Sequence, residues 1–270
     1  MNIVGKTLAV TVMGLAATGA QATIKGGVTT ASTELVFNLW NEASEISYAL
    51  DLGVIHNDFL DTKTEAKSWS IDAKTSTAFA AFLAATQPEQ TLVYNIASSN
   101  GSLTGGLAAL PYYGLLRTSN DANISKVTTT AINNTAGKIN NRAIKLNTQL
   151  NVSGGDISNN FDSVSGKADV GYFGTSWGDN MDGSTGFGTV GLEGEGNTLG
   201  FYWQNREFAS LGLTGIEKLA DWTFVIDFDT KTAALNYGAP AVVPVPAAVW
   251  LFGTGLMGLF AAKRRKALTA

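Results

Sequence analysis

Thr33 to Leu52 reads TELVFNLWNEASEISYALDL, and the period of this stretch decides the fold class. Leu35, Phe37 and Leu39 alternate with Glu34 and Asn38. Ile46, Tyr48, Leu50 and Leu52 alternate with Ser47 and Asp51. Successive side chains of a strand point to opposite faces, so a period of two with apolar residues on one side predicts two half-buried β-strands.

The same pattern recurs on the C-terminal side. Trp69 and Ile71, Leu92 with Tyr94 and Ile96, and Tyr113 to Arg117 read as further strands, whereas Phe79, Phe82 and Leu83 stand at helical spacing within Thr77–Thr86, ahead of Pro88. After Asp156 the chain is rich in glycine, aspartate and aromatic residues. Here Val170, Tyr172 and Phe173 predict a strand, Trp177 to Gly188 a long loop, and Leu199, Phe201 and Trp203 another strand. Trp222, Phe224, Ile226 and Phe228 share one face of a later strand with Asp227 and Asp229 on the other, and Ala234 to Tyr237 forms the last strand. Between these blocks Ile132, Ala136, Ile139, Ala143, Leu146 and Leu150 recur at intervals of four and three, one apolar stripe on a helix that Gly154-Gly155 ends. The stripe also suits a coiled-coil seam, but the asparagines around it are weak helix formers, and a helix lying across a sheet face fits it better. No fixed repeat of 20 to 50 residues is present, which argues against a solenoid or propeller. The expected fold is mainly β: an antiparallel, β-sandwich-like ectodomain with one or two packed helices.

The two ends read differently. Residues 1–22 have the order of a secretory signal peptide: Lys6, an apolar centre from Leu8 to Ala17, and the small-x-small cleavage site Ala20-Gln21-Ala22, which makes Thr23 the first mature residue. Such a leader implies the Sec export machinery and signal peptidase as partners. At the other end Ala247 to Ala262 carries no charge, and the run from Ala239 approaches the roughly 30 Å hydrocarbon thickness of a bilayer at about 1.5 Å per residue. Lys263, Arg264, Arg265 and Lys266 follow at once, a basic cluster that holds its end of a membrane helix in the cytoplasm. Pro244 and Pro246 disfavour helix before them and mark the junction of ectodomain and anchor. The expected organisation is a signal peptide at 1–22, an ectodomain at 23–240, and a terminal segment at 241–270 with a transmembrane helix over 247–262.

Val243-Pro244-Val245-Pro246-Ala247, then Trp250-Leu251, Gly253, Gly255 and Gly258, and finally Lys263 to Lys266, resembles a PEP-CTERM protein-sorting segment in its VPxPA variant. The resemblance covers about a tenth of the chain, and Val245 stands where a glutamate is most often found. It implies that an exosortase-type membrane enzyme processes the chain near the proline motif and passes it to the cell surface or outer envelope of a bacterium. It also implies a link to exopolysaccharide and biofilm.

Composition excludes several alternatives. The formal charge is −4, and removing the five positive charges of Lys6, Lys263, Arg264, Arg265 and Lys266 with the terminal segments leaves −9. So acidic a body argues against nucleic acid and against anionic lipid. The chain has no cysteine, hence no disulfide, thiolate nucleophile or cysteine metal site.

The apparent catalytic motifs fail on their surroundings. Gly174-Thr175-Ser176-Trp177-Gly178 matches G-x-S-x-G, but a turn-like Asp179-Asn180-Met181-Asp182-Gly183 follows where the nucleophile elbow needs a helix. The single histidine, His56, lies upstream of that serine and reads as a surface or strand-end residue. Gly186 to Gly191 matches G-x-G-x-x-G, yet so does Gly253 to Gly258 inside the apolar tail, so the pattern carries no weight. Glu193 and Glu195 alternate with glycine and offer a carboxylate pair for glycoside hydrolysis, though acids in a glycine loop are ordinarily solvated. Asp179 and Asp182 lie in a loop suited to calcium, with Trp177 beside them to stack on a sugar ring; Gly178 and Thr189 exclude an EF-hand. No catalytic residue, metal site or cofactor is assigned. The expected function is a non-catalytic, surface-sorted envelope or matrix protein linked to exopolysaccharide or adhesion. The alternative is an exported carbohydrate-active enzyme or a calcium-dependent glycan-binding module.

Overall fold

The structure, a computed structural model, describes residues 24, 32–100, 112–119, 129–149, 162–174, 188–190, 197–205 and 215–238. The chain divides into two units, residues 1–239 and 240–270, and everything described here belongs to the first. In chain order the elements are β1 (Glu34–Asn41), β2 (Ile46–Ile55), α1 (His56–Asp61), β3 (Lys67–Asp72), α2 (Thr77–Ala85), β4 (Leu92–Asn100), β5 (Gly114–Ser119) and α3 (Thr129–Gln149). Then follow β6 (Asp162–Gly166), β7 (Gly188–Val190), β8 (Asn197–Asn205), β9 (Gly215–Asp227) and β10 (Thr232–Tyr237).

The opening stretch forms β1 and β2, paired antiparallel with Phe37 opposite Leu50 and Leu39 opposite Tyr48. All ten strands join one antiparallel sheet in the order β3-β10-β9-β8-β5-β4-β1-β2-β6, with β7 pairing with β4 off that path. This sheet curls on itself. Strands β1 and β9 are separated in it by β4, β5 and β8, yet the rings of Phe37 and Phe224 lie 4.8 Å apart, and Tyr94 reaches Phe224 at 5.4 Å. One end strand also reaches the next-to-last strand of the other side, because Trp69 Nε1 of β3 donates to the carbonyl of Leu52 in β2 at 3.2 Å. Facing layers here come from one continuous ladder, not from two separately hydrogen-bonded sheets.

Inside the curl one apolar core draws on Leu35, Phe37 and Leu39, Tyr48, Tyr94 and Ile96, Leu199 and Phe201, Trp222 and Phe224, and Leu235 and Tyr237. The short helices fill its mouth. Phe59 of α1 packs edge-on to Phe201 and Tyr237, while Phe79 and Phe82 of α2 pack on Tyr48. Helix α2 starts where the sequence predicts because Ser76 caps it, its hydroxyl accepting from the Phe79 amide at 2.8 Å. Between β5 and β8 the backbones approach so closely that Gly114, at φ +144°, has no room for a Cβ beside the Gln204 carbonyl.

The second face of the sheet is covered as well. Ala136, Ile139, Ala143 and Leu146 of α3 are buried against Trp40, Val36, Ala49, Ala97 and Leu115, so the apolar stripe lies on the sheet. Ile132 and Leu150 fall outside the described side chains. In consequence β1 is buried along its whole length, where its alternation predicts a half-buried strand. Polar residues on its second face, Glu34 and Asn38, are hidden by α3 and its surroundings rather than wetted.

The predicted strand over Val170 to Phe173 is not found. Its place in the sheet is taken by β6, whose sequence Asp-Ser-Val-Ser-Gly is too polar to announce a strand; Val170 is 43 % exposed in the turn that follows. β9 extends further back than expected, to Gly215. The signal peptide and the membrane helix lie outside the described residues, among which no helix is long and apolar enough to cross a membrane.

The curl makes Phe37 a keystone and leaves the outer face of α3 unburdened. Phe37→Ala is expected to cost about 3–5 kcal/mol in urea unfolding, while Ile144→Ala on that outer face costs no more than about 0.5 kcal/mol. Equal costs would overturn the assignment of the two faces.

Candidate functional site

Most residues singled out in the sequence lie outside the described structure. These are Ala20 and Ala22, Trp177, Asp179 and Asp182, Glu193 and Glu195, the motif Val243 to Ala247, and Lys263 to Lys266. The described residues place Gly188 and Thr189 in β7, paired with β4, and also place Gly174 and His56, which have packing or hydrogen-bonding roles.

Gly174 follows a sharp turn in which Tyr172 hydroxyl accepts from Trp40 Nε1 at 2.9 Å. A Cβ at Gly174 would stand 2.8 Å from the Tyr172 ring, so close packing alone requires the glycine. His56 is fully buried, not a surface residue, because it begins α1 at the point where β2 turns into the core. Its Nε2 lies 3.1 Å from the Tyr112 carbonyl and its Nδ1 3.0 Å from Ser98 Oγ. A carbonyl only accepts, so Nε2 carries the proton and Nδ1 accepts from the serine. Desolvation lowers the ring's pKa to about 3, which keeps it neutral. This arrangement ties Tyr112, at φ +58° in the left-handed region, to the buried Ser98 through one imidazole.

A second group of polar residues lies beneath α3. Asn38 and Asn95 are direct cross-strand partners, joined Nδ2 to Oδ1 at 3.0 Å. Arg142 of α3 donates from Nε to Asn38 Oδ1 at 3.0 Å and from Nη1 to the Gly171 carbonyl, with its guanidinium 5.5 Å over the Phe173 ring. Burial lowers its pKa to about 9, still charged at neutral pH. On the same face Asp51 is 2 % exposed and accepts from the Gly53 amide at 2.9 Å. Desolvation, and then the nearby Glu34, raise its pKa to about 7. Asn38, Asp51, Asn95 and Arg142 are all buried, and the hydrogen bonds of Asn38 with Asn95 and Arg142 tie α3 to the sheet.

Among the described residues an open recess of about 600 Å³ lies between α2 and two turns. Its floor is Ala73, Ala80, Leu83, Ala84 and Phe228; its rim is Lys74, Asp229, Thr230 and Lys231. Both turns are fixed by aspartates. Asp72 Oδ1 accepts from the Lys74 amide at 2.8 Å, and Asp227 Oδ1 from the Thr230 amide at 2.9 Å, which holds the Asp227 carboxyl below the usual range. The Ala73 amide donates to the Lys231 carbonyl at 3.1 Å, bringing the two lysines to one rim, and Lys231 adopts φ +57°. Among the described residues neither ammonium is ion-paired, in contrast to Lys63, which sits 2.5 Å from Glu217 and over the Trp203 ring. An apolar lining with one aromatic ring beside donor and acceptor side chains is the make-up of a small-molecule recess. Sequence reading missed this recess because its floor comes from three separate segments. Its one legible sign was the run Asp227 to Lys231, a turn flanked by strand residues.

Among the described residues no three histidine, aspartate or glutamate side chains gather at a metal-binding distance. Residues 242–266 match the PEP-CTERM protein-sorting motif. Neither a curated protein nor a solved structure matches the chain.

Asp51 and His56 pull stability in opposite directions with pH. The raised carboxyl of Asp51 adds stability that is full below its ordinary value of 3.8 and lost as pH rises through about 7; the lowered His56 adds nothing at neutral pH and costs stability as pH falls from 6.5 toward about 3. The two effects offset over the range in which they overlap. Asp51→Asn is expected to gain roughly 2–4 kcal/mol at pH 8. That variant should then lose stability on acidification below about pH 6.5, where Asp51 no longer offsets the cost of charging His56. Urea midpoints at several pH values would test this, and parallel profiles for the two proteins would refute it.

Proposed function

We propose, from the PEP-CTERM protein-sorting segment that this chain carries at residues 242–266, that it is a non-catalytic component of the bacterial envelope or extracellular matrix, held in or on exopolysaccharide. The sorting segment by itself implies an exported, surface-sorted protein and a substrate of an exosortase-type enzyme. In this reading signal peptidase cuts after Ala22 and the Sec machinery exports the chain. The apolar run over 247–262 then stops in the membrane with Lys263, Arg264, Arg265 and Lys266 inside. Val243 to Ala247 is presented to the processing enzyme just outside. The working protein is the acidic ectodomain of 23–240.

The sorting motif is the single observation that carries this reading. The recess between α2 and the Asp227–Lys231 turn supports the glycan part of it: Phe228 and the alanines suit the C–H face of a sugar ring, and Lys74, Asp229 and Thr230 its hydroxyls. Trp177, Asp179 and Asp182 are proposed as a second glycan contact, with calcium as the ion that loop would accept.

Intact mass of the protein recovered from cells tests the sorting. The expected product begins at Thr23 and ends near Pro246, and deletion of residues 243–270 is expected to abolish both the C-terminal cut and surface retention; unchanged processing after that deletion would overturn the reading. For the ectodomain, affinity electrophoresis in the producing cell's exopolysaccharide is expected to show retardation without release of reducing sugar. Phe228→Ala should weaken that binding by about tenfold, equivalent to about 1.4 kcal/mol. Sugar release lost in Glu193→Gln or Glu195→Gln would instead establish the enzyme.

A further inference from the structure

The predicted leader ends at Ala22, and two residues later the chain is already part of the core. Ile24 is 1 % exposed, packed with Val36 of β1, Ala49 of β2, and Ala143 and Leu146 of α3. Its backbone is held by one side chain 123 residues away: the Ile24 amide donates to Asn147 Oδ1 at 2.9 Å, and Asn147 Nδ2 donates to the Ile24 carbonyl at 3.0 Å. A primary amide presents one acceptor and one donor side by side, as a neighbouring strand would, so Asn147 closes both backbone groups of Ile24 at once. This explains a poor helix former near the end of α3: its side chain is committed to the N-terminal segment.

Cleavage and this clasp make incompatible demands on the same peptide. Proteolysis adds water to the Ala22 carbonyl and breaks its bond to Thr23, leaving a carboxylate on Ala22 and an ammonium on Thr23. For that, the residues on both sides of the bond must lie extended in the enzyme's cleft with their backbone groups free. A residue spans at most about 3.6 Å, so the scissile bond is within about 7 Å of the Ile24 Cα. With Ile24 buried between α3 and the β1–β2 pair and both its backbone groups taken, the second residue beyond that bond cannot lie extended in a cleft.

We infer that leader removal and docking of Ile24 are mutually exclusive, so that cleavage after Ala22 must come first and the Ile24–Asn147 clasp closes afterwards, completing the second layer of the fold. The inference rests on the leader reading given under Proposed function.

The test uses the full-length precursor in detergent with a purified bacterial signal peptidase, comparing chain that is folded beforehand with chain diluted from urea into the assay. The chain from urea is expected to be cut after Ala22, and the folded precursor at least tenfold more slowly. Asn147→Ala, which opens the clasp, should bring the folded precursor toward the rate of the unfolded one, and in the processed protein the Ile24 amide should lose its protection from hydrogen exchange. Equal rates for folded and unfolded wild-type precursor overturn the clasp while leaving the leader reading intact. Absence of a cut after Ala22 in either state removes the leader reading and the inference with it. The wild-type comparison decides the matter even if Asn147→Ala does not fold.

Discussion

Burial of both faces of β1 is the constraint on which the remaining structure depends. One face, Leu35, Phe37 and Leu39, looks into the curled sheet, and the other, Glu34, Val36, Asn38 and Trp40, lies under α3 and its surroundings. A strand in that position leaves no polar side chain to water, so each one needs a partner inside the protein. Asn38 finds Asn95 on the next strand and Arg142 on the helix above. Trp40 finds the Tyr172 hydroxyl. Asp51 of the neighbouring strand shares the same dry face, and its raised pKa reflects that enclosure. These partners lie 57, 104 and 132 residues from β1, and hydrogen bonds of that reach fix the lateral position of α3 and the 162–174 segment more tightly than apolar contact alone.

Curling lets one sheet supply what two sheets ordinarily do. Rings from β1, β4 and β9 meet in the interior although the ladder separates them, and α1 and α2 fill the mouth that the curl leaves. The chain has no cysteine, so this aromatic packing carries the stability that disulfides give many exported domains. Among the described residues His56 is neutral and enclosed, Arg142 is enclosed, and a recess beside α2 is lined by Lys74, Asp229, Thr230 and Lys231. The sorting segment at residues 242–266 implies an exported, surface-sorted protein.

The sequence by itself determined the strands with clear alternation, the short helix at Thr77, the apolar stripe of α3, and the sorting segment, because each of those signals lies within a few consecutive residues. Period, capping and charge order are local properties, and they need no knowledge of the partner. Tertiary structure alone decided the rest. That β1 is buried twice over, that Glu34 and Asp51 share a dry face, that His56 is interior, and that β6 is a strand at all depend on what packs against them from far along the chain. The same holds for the recess, assembled from one helix and two turns, and for Ile24, whose backbone is held by Asn147, 123 residues away. A single residue's hydrophobicity says whether it prefers water; only the fold says whether water is there.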